Sequence, residues 1–439
     1  MNPQIQRVQI PRPTGGLSGA CYDALIYQRG LPVADRVNRL GFLCFQTLDA
    51  LERAAQHVSD IKPDYDKMLT LLSQATKAQL TEGQAEELWE VYYRSFDTVF
   101  PTTQAFLNWS HQFLGLSQEH NLASISLPRL RQLEEASLVD ASLRELLKEL
   151  RMAFSRIRGL NDSQGFRQAF EFYGEALVYS LLSAKFETRR IVAKSSSMPD
   201  FSCSLPNGKE FFVELKSFDI ADGPYRSAQM HEDAMRQQIE LENQTNRGVP
   251  VAVAVREVAP YKRAFGKPDE YDPASLLTVI DTLIDKARSA FKPKQFAQGP
   301  TFAFALCDRL LLPGGKHSVA PHYYERGASA IVSGVLWHAC FGQAGWPISR
   351  IPNFEGKPGI EGYMSSNGLM SDPAVPFPSG ALIFADTTWQ EDTLLGMYDA
   401  RWISPSPSWT VEDTEEVMHT LCSAFNDAEN SYGQLLALT

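Results

Sequence analysis

Pro199-Asp200 and Glu214-Leu215-Lys216 flank a short run, "FSCSLPNGKEFFV", whose apolar positions are patterned for a core. The turn between them decides how the charged groups meet. Pro206, Asn207 and Gly208 suit a three-residue hairpin loop, with Pro206 and Asn207 at the centre of a type I turn and Gly208 in the left-handed bulge conformation. Leu205 then faces Lys209, and counting back along both strands sets Phe201 against Val213 and Asp200 against Glu214. Directly opposed positions lie about 5 Å apart, so two carboxylates there repel unless a cation sits between them. The same alternation puts Phe201, Cys203, Leu205, Phe211, Val213 and Leu215 on one face and Asp200, Ser202, Glu214 and Lys216 on the other. One face is expected to make core, the other a site. A two-residue Asn207-Gly208 turn would instead oppose Asp200 and Leu215 and break the pair apart.

Taken alone, Glu and Lys two apart are the ordinary outer face of an amphipathic strand. The preceding segment, "FRQAFEFYGEALVYSLLSAK", adds weight. It reads as a helix in which Glu175 follows Gly174 and shares a stripe with Val178 and Leu182, a carboxylate on a mostly apolar face that wants a partner.

The elements that must hold these residues form an α/β pattern. After the helix containing Glu175 come three short strands, "TRRIVAK", "PDFSCSL" and "EFFVELKS", then a helix, "YRSAQMHEDAMRQQIELENQTN", and a strand, "VPVAVAVREV". The order is α-β-β-β-α-β. Beyond it, "DPASLLTVIDTLIDKARSAF" reads as a helix and "TFAFALC" and "SGALIFAD" as strands that extend the same mixed sheet, while "ASAIVSGVLWHACF" suits a strand or a buried helix. The Pro/Gly-rich stretch 342–380 is either a long functional loop or an inserted subdomain. Upstream, apolar steps of three and four through Val37, Leu40, Cys44, Leu48 and Leu51, and again through Ala85, Leu88, Tyr92 and Phe96, indicate helices punctuated by Pro63, Pro101 and Pro128. Three regions follow: a helical domain over 1–160, a core over 161–260 and a C-terminal α/β extension over 261–439.

In Glu175, Pro199-Asp200, Glu214-Leu215-Lys216 and the α-β-β-β-α-β order, residues 166–258 resemble the PD-(D/E)xK nuclease superfamily, the restriction-endonuclease-like fold. The resemblance implies Mg²⁺-dependent phosphodiester hydrolysis, with Mn²⁺ able to substitute. Mg²⁺ takes one or two carboxylates together with waters and phosphate oxygens, which Asp200, Glu214 and the Leu215 carbonyl can offer. Lys216 would orient the attacking water or stabilise developing charge, and Glu175 would hold a second metal through water or anchor Lys216. The expected function is a metal-dependent endonuclease acting on DNA, built in general like bacterial restriction or antiphage-defence effectors. The alternatives are a non-catalytic nucleic-acid-binding or scaffold subunit, and an RNA-directed nuclease.

Charge and composition bear on partners. The chain carries a formal net charge of -11, which argues against indiscriminate coating of polyanions. Locally, residues 151–199 hold eight basic and four acidic side chains, and Arg189, Arg190 and Lys194 feed directly into Pro199-Asp200. These three are the candidate nucleic-acid contacts, the competing reading being ordinary pairing with Glu187 or other surface carboxylates. The six cysteines are scattered with no C-x-x-C pair, and the amino-terminal residues lack an apolar signal-peptide centre, so a cytoplasmic protein with reduced thiols and no membrane association is expected. The N-terminal helices are expected to serve packing, a homo-oligomer or a partner protein. "LLPGGKHS" fails as a phosphate loop, because Leu310 stands where its first glycine belongs and His317 where its hydroxyl belongs. Gln237 and Gln238 are candidates to approach the site from the helix after the Lys216 strand, or else plain surface amides.

Overall fold

A computed structural model describes residues 51–75, 81–112, 125–159, 162–191, 198–218, 227–249, 251–254, 275–308, 310, 322–323, 331–332, 334–349, 360–371, 375–386, 393–399 and 409–427. The chain divides into two compact units, Met1–Ala176 and Leu177–Thr439.

In the first unit the described residues are helical: α1 (Lys62–Ala75), α2 (Glu82–Val99), α3 (Pro101–Gln112), α4 (Leu127–Ser137), α5 (Ala141–Arg156) and the opening turns of α6 (Ser163–Ser183). Pro63, Pro101 and Pro128 each fall at the first or second position of a helix, where a missing N–H costs nothing and the fixed φ favours the helical turn. Leu88, Phe106, Leu130, Leu146, Leu150 and Phe154 are buried among these helices, and the Phe106 and Phe154 rings stand 5.3 Å apart. Glu134 on α4 is buried and caps α3: its carboxylate accepts from the backbone N–H groups of Thr102 and Thr103 and from the Thr103 hydroxyl. The side chains of Tyr92 and Phe96, and residues 37–48, lie outside the described residues.

The second unit is a mixed seven-stranded sheet in the order β1-β2-β3-β4-β9-β10-β11. Its strands are β1 (Glu187–Arg190), β2 (Phe201–Ser204), β3 (Glu210–Ser217), β4 (Thr301–Leu306), β9 (Ala381–Asp386), β10 (Thr393–Tyr398) and β11 (Ala424–Asp427). Strands β1 to β3 form an antiparallel meander, and β3, β4 and β9 run parallel. The helices of this unit are the end of α6, α7 (Ser227–Asn246), α8 (Leu276–Ala290), α9 (Val335–Phe341) and α10 (Val411–Leu421). Two small ladders, β5 (His322–Tyr323) with β6 (Ile331–Val332) and β7 (Pro347–Ser349) with β8 (Ile360–Tyr363), stand apart from the main sheet.

Both faces of the sheet are covered. On one, Phe211 packs edge-on against Phe186 and Phe302 and tilts against Trp409, while Tyr179 of α6 meets Phe201. On the other, Ala303, Ala305, Leu382, Phe384, Leu395 and Met397 join the buried faces of α8 and α9 in one apolar cluster. Within the stretch 342–380 the described residues Ile348, Met364, Leu369, Met370 and Phe377 belong to that cluster.

Two expectations are corrected here. "VPVAVAVREV" is not a strand over its described residues: 251–254 form no ladder, and Val251 and Val253 are 73% and 62% exposed. Side-chain amides of α7 take its backbone groups instead, with Gln244 accepting from Val253 N–H and donating to Val253 C=O, and Gln237 donating to Ala254 C=O. The strand beside β3 is β4, reached through both α7 and α8, and α8 is the helix whose apolar face packs on the sheet. A parallel neighbour requires a long crossover, and chain length alone does not say which apolar run completes it. The second correction concerns the face opposite the expected core. Phe218, Ala303 and Ala305 on it are buried, as befits an interior strand with helices over both faces.

Candidate functional site

The β2–β3 hairpin has the register that the three-residue loop implies. Phe201 pairs with Val213, Ser202 with Phe212, Cys203 with Phe211 and Ser204 with Glu210. Leu205 N–H donates to Lys209 C=O at 2.9 Å, Gly208 N–H returns to Leu205 C=O, and Gly208 sits at φ +81°, a conformation that side chains other than glycine rarely adopt. Asn207 steadies the loop by accepting from Lys209 N–H. The tip is tied down as well: Lys209 Nζ donates to Asp413 Oδ2 at 2.5 Å, and Asp413 is the third residue of α10, whose carboxylate also accepts from Thr410 N–H.

At the open end of the hairpin the ladder runs out, and the site begins there. Asp200 N–H donates to Val213 C=O, so odd-numbered peptides of β3 face β2 while even-numbered ones face β4, as Phe212 N–H to Pro300 C=O and Phe218 N–H to Leu306 C=O show. Leu215 N–H therefore points past the start of β2 with no backbone partner there. The Asp200 side chain meets it, Oδ2 accepting at 2.8 Å. The Leu215 carbonyl points the same way by the geometry of a strand. Asp200 is consequently held beside the Glu214-Leu215 peptide by a side-chain bond, one residue before β2 begins.

Glu214 and Lys216 occupy alternate positions on β3, next to Ala303 and Ala305 of β4 in register. The two small neighbours leave room for long side chains on a covered face. The Glu214 side chain is 1% exposed and that of Lys216 is 29% exposed, and Lys216 Nζ pairs with Glu214 Oε1. Gln295 Nε2 donates to the same oxygen. Glu214 Oε2 is buried and has no hydrogen-bond partner among the described residues. Burial, and then the charge of Asp200, push the Glu214 carboxyl up to about 7 against the pull of Lys216 and Gln295. Asp200 is pushed up too, chiefly by burial, although Lys216, the Leu215 N–H and Arg190 act in the opposite direction. The two carboxyls are thus raised mainly by burial, and the donors to Glu214, Lys216 and Gln295, both meet Oε1.

Of the residues singled out in the sequence, Asp200, Glu214, Leu215 and Lys216 come together. Glu175 is half-buried on α6 in the portion that belongs to the first unit. Arg189 is exposed and pairs with Glu187 at 2.5 Å, the ordinary pairing weighed above. Arg190 lies close enough to Asp200 to lower its carboxyl, and Lys194 is outside the described residues. Gln237 and Gln238 do not serve the site: they bond Ala254 C=O and Glu242. Gln295 was not legible in the sequence. Its only signal is a polar residue between Phe291 and Phe296 in the short link ahead of β4.

Among the described residues no group of three or more His, Cys, Asp or Glu side chains could hold a metal ion. The donor set is a pair of carboxylates and a carbonyl, which suits a hard cation that keeps several waters rather than a zinc cage. The orphaned Glu214 Oε2 fits that requirement. Among the described residues no helix is long and apolar enough to cross a membrane. Comparison with family models, with curated proteins and with solved structures finds no match to this chain.

Proposed function

We propose that the chain is a Mg²⁺-dependent nuclease of the restriction-endonuclease-like kind, hydrolysing phosphodiester bonds of DNA. One observation carries the reading: Asp200 and Glu214 are brought to the same end of an interior strand beside Lys216, with Glu214 Oε2 buried and unpartnered. An oxygen stripped of water and given no donor is destabilising, and a bound cation would offset that cost. Asp200, Glu214 and the Leu215 carbonyl would hold the ion. A bound Mg²⁺ supplies charge neutralisation at a phosphate and a water of lowered pKa.

The chain's own groups do the rest. Lys216, the more exposed member of its ion pair, brings an ammonium to the edge of the site, where it can hold a phosphate oxygen or the attacking water. The Leu215 N–H holds the Asp200 carboxylate beside the Glu214-Leu215 peptide. Arg190, on the neighbouring strand, adds positive potential at the Asp200 end for an incoming phosphate backbone.

The test is incubation of the purified protein with plasmid DNA, single-stranded DNA and RNA, each with Mg²⁺, Mn²⁺ or chelator, beside Asp200→Ala and Lys216→Ala. Metal-dependent cleavage of DNA that falls by orders of magnitude in both variants, with circular dichroism unchanged, is expected. Equal cleavage by either variant would remove that residue from the chemistry. Cleavage confined to RNA would redirect the substrate and keep the site.

A further inference from the structure

Gln295 lies on a 3-10 turn, Pro293–Phe296, between α8 and β4, and reaches Glu214 across a separation of 81 residues in the chain. Both ends of its amide are committed. The oxygen accepts from Lys292 N–H at 2.7 Å, which settles which way the amide faces and leaves its NH₂ group for Glu214 Oε1. The turn that carries it is itself fixed: Gln295 N–H returns to Lys292 C=O, and Phe291 and Phe296, each buried, stack edge-on beside it. Gln295 is 8% exposed.

The result is an asymmetric carboxylate. Two donors, Lys216 Nζ and Gln295 Nε2, converge on Oε1 and none on Oε2. The Lys216 side chain is long and 29% exposed, whereas Gln295 is a shorter, buried amide held at both ends, and is the more rigid of the two donors to Oε1.

We infer that Gln295 is a positioning residue of the site: by occupying Oε1 it orients Glu214 so that Oε2 is the oxygen offered to a divalent cation. This rests on the metal-dependent reading of the site. Groups that orient a metal-binding carboxylate without touching the ion typically change affinity by about 10-fold to 100-fold when removed. Gln295→Met keeps length and volume and cannot donate, so it should weaken Mn²⁺ binding by about 10-fold.

The experiment is calorimetric titration of the full chain with Mn²⁺ in the absence of nucleic acid, on the parent protein, Gln295→Met and Glu214→Gln. In parallel, the Mg²⁺ concentration giving half-maximal plasmid cleavage is measured. Loss of binding in Glu214→Gln, with a weakening of about 10-fold in Gln295→Met and a matching rise in the Mg²⁺ requirement, supports the inference. A merely structural Gln295 would lower thermal stability and leave Mn²⁺ affinity alone. Parent-like affinity in Gln295→Met, within about twofold, overturns the role of Gln295 while leaving the metal site standing. Absence of any Glu214-dependent Mn²⁺ binding in the parent protein overturns both. Should Gln295→Met not fold, Gln295→Asn, whose amide is one methylene too short to reach Glu214, takes its place with the same expected shift.

Discussion

Replacing Glu214 by Gln should separate stability from function, and its size follows from the environment of the side chain. The carboxyl is 1% exposed, so its displacement from 4.5 to about 7 needs no discount for solvent screening. At about 1.4 kcal/mol per unit, the ionised form of Glu214 costs the folded chain roughly 3 kcal/mol. The folded state holds this proton more tightly than the unfolded state. Between about pH 4.5 and pH 7 the folded protein therefore carries the extra proton, and unfolding free energy falls as pH rises through that window. Glutamine neither titrates nor repels Asp200. The difference in unfolding free energy, variant minus parent, should widen in favour of the variant by about 3 kcal/mol between pH 4.5 and pH 8. Urea unfolding in chelator, followed by tryptophan fluorescence at several pH values, measures it directly. Repeating the series with saturating Mg²⁺ should flatten the pH dependence of the parent and leave the variant as it was, because a bound cation offsets the charge. A constant gap between the two proteins across the pH range would refute the picture of a buried, charge-deficient pair. So would a variant that cleaves like the parent.

Asp413→Ala removes the anchor of the hairpin tip and one half of the α10 capping box, and should cost about 2 kcal/mol, allowing for a Lys209 side chain that is one-third exposed. Urea midpoints check this, and an unchanged midpoint would show that the tip holds itself. In the helical unit, burial pushes Glu134 up to about 7 in spite of its bonds to Thr102 and Thr103, so its contribution also falls as pH rises from about 4.5 to 7; Glu134→Gln should remove that slope from the unfolding of this unit. Replacing Arg189, Arg190 and Lys194 together by Gln should weaken DNA binding for all sequences and reduce the salt slope by up to about three, read by fluorescence anisotropy over a range of salt. Because Arg189 already pairs with Glu187, a loss of about one unit would assign the contact to Arg190 or Lys194 instead.

What the sequence by itself determined is local. A glycine able to take φ +81° directly after Pro-Asn sets a loop of three residues, and once the loop length is set, strict alternation carries the register as far as Phe201 and Val213; beyond that pair Asp200 is held by its side-chain bond to Leu215 N–H. The breaks between helices at Pro63, Pro101 and Pro128 were legible for the same reason, and the structure sets each proline in the first turn of the helix that follows, where a fixed φ and a missing N–H act locally. Tertiary structure decided which strand lies beside β3. The valine-rich run at 249–258 and "TFAFAL" at 301–306 both read as strands, yet the described part of the first lies against α7 with its valines in water, and the second is wholly buried. Periodicity reports how one segment is patterned; pairing depends on what covers the sheet and what takes the strand's other edge, and here α8 and α9 pack on one face while β9 pairs with the far edge of β4. The same holds for the site. Asp200, Glu214 and Lys216 could be found by counting along a hairpin, but the burial of Glu214 and the arrival of Gln295 from 81 residues away are consequences of long-range packing, which no local pattern encodes.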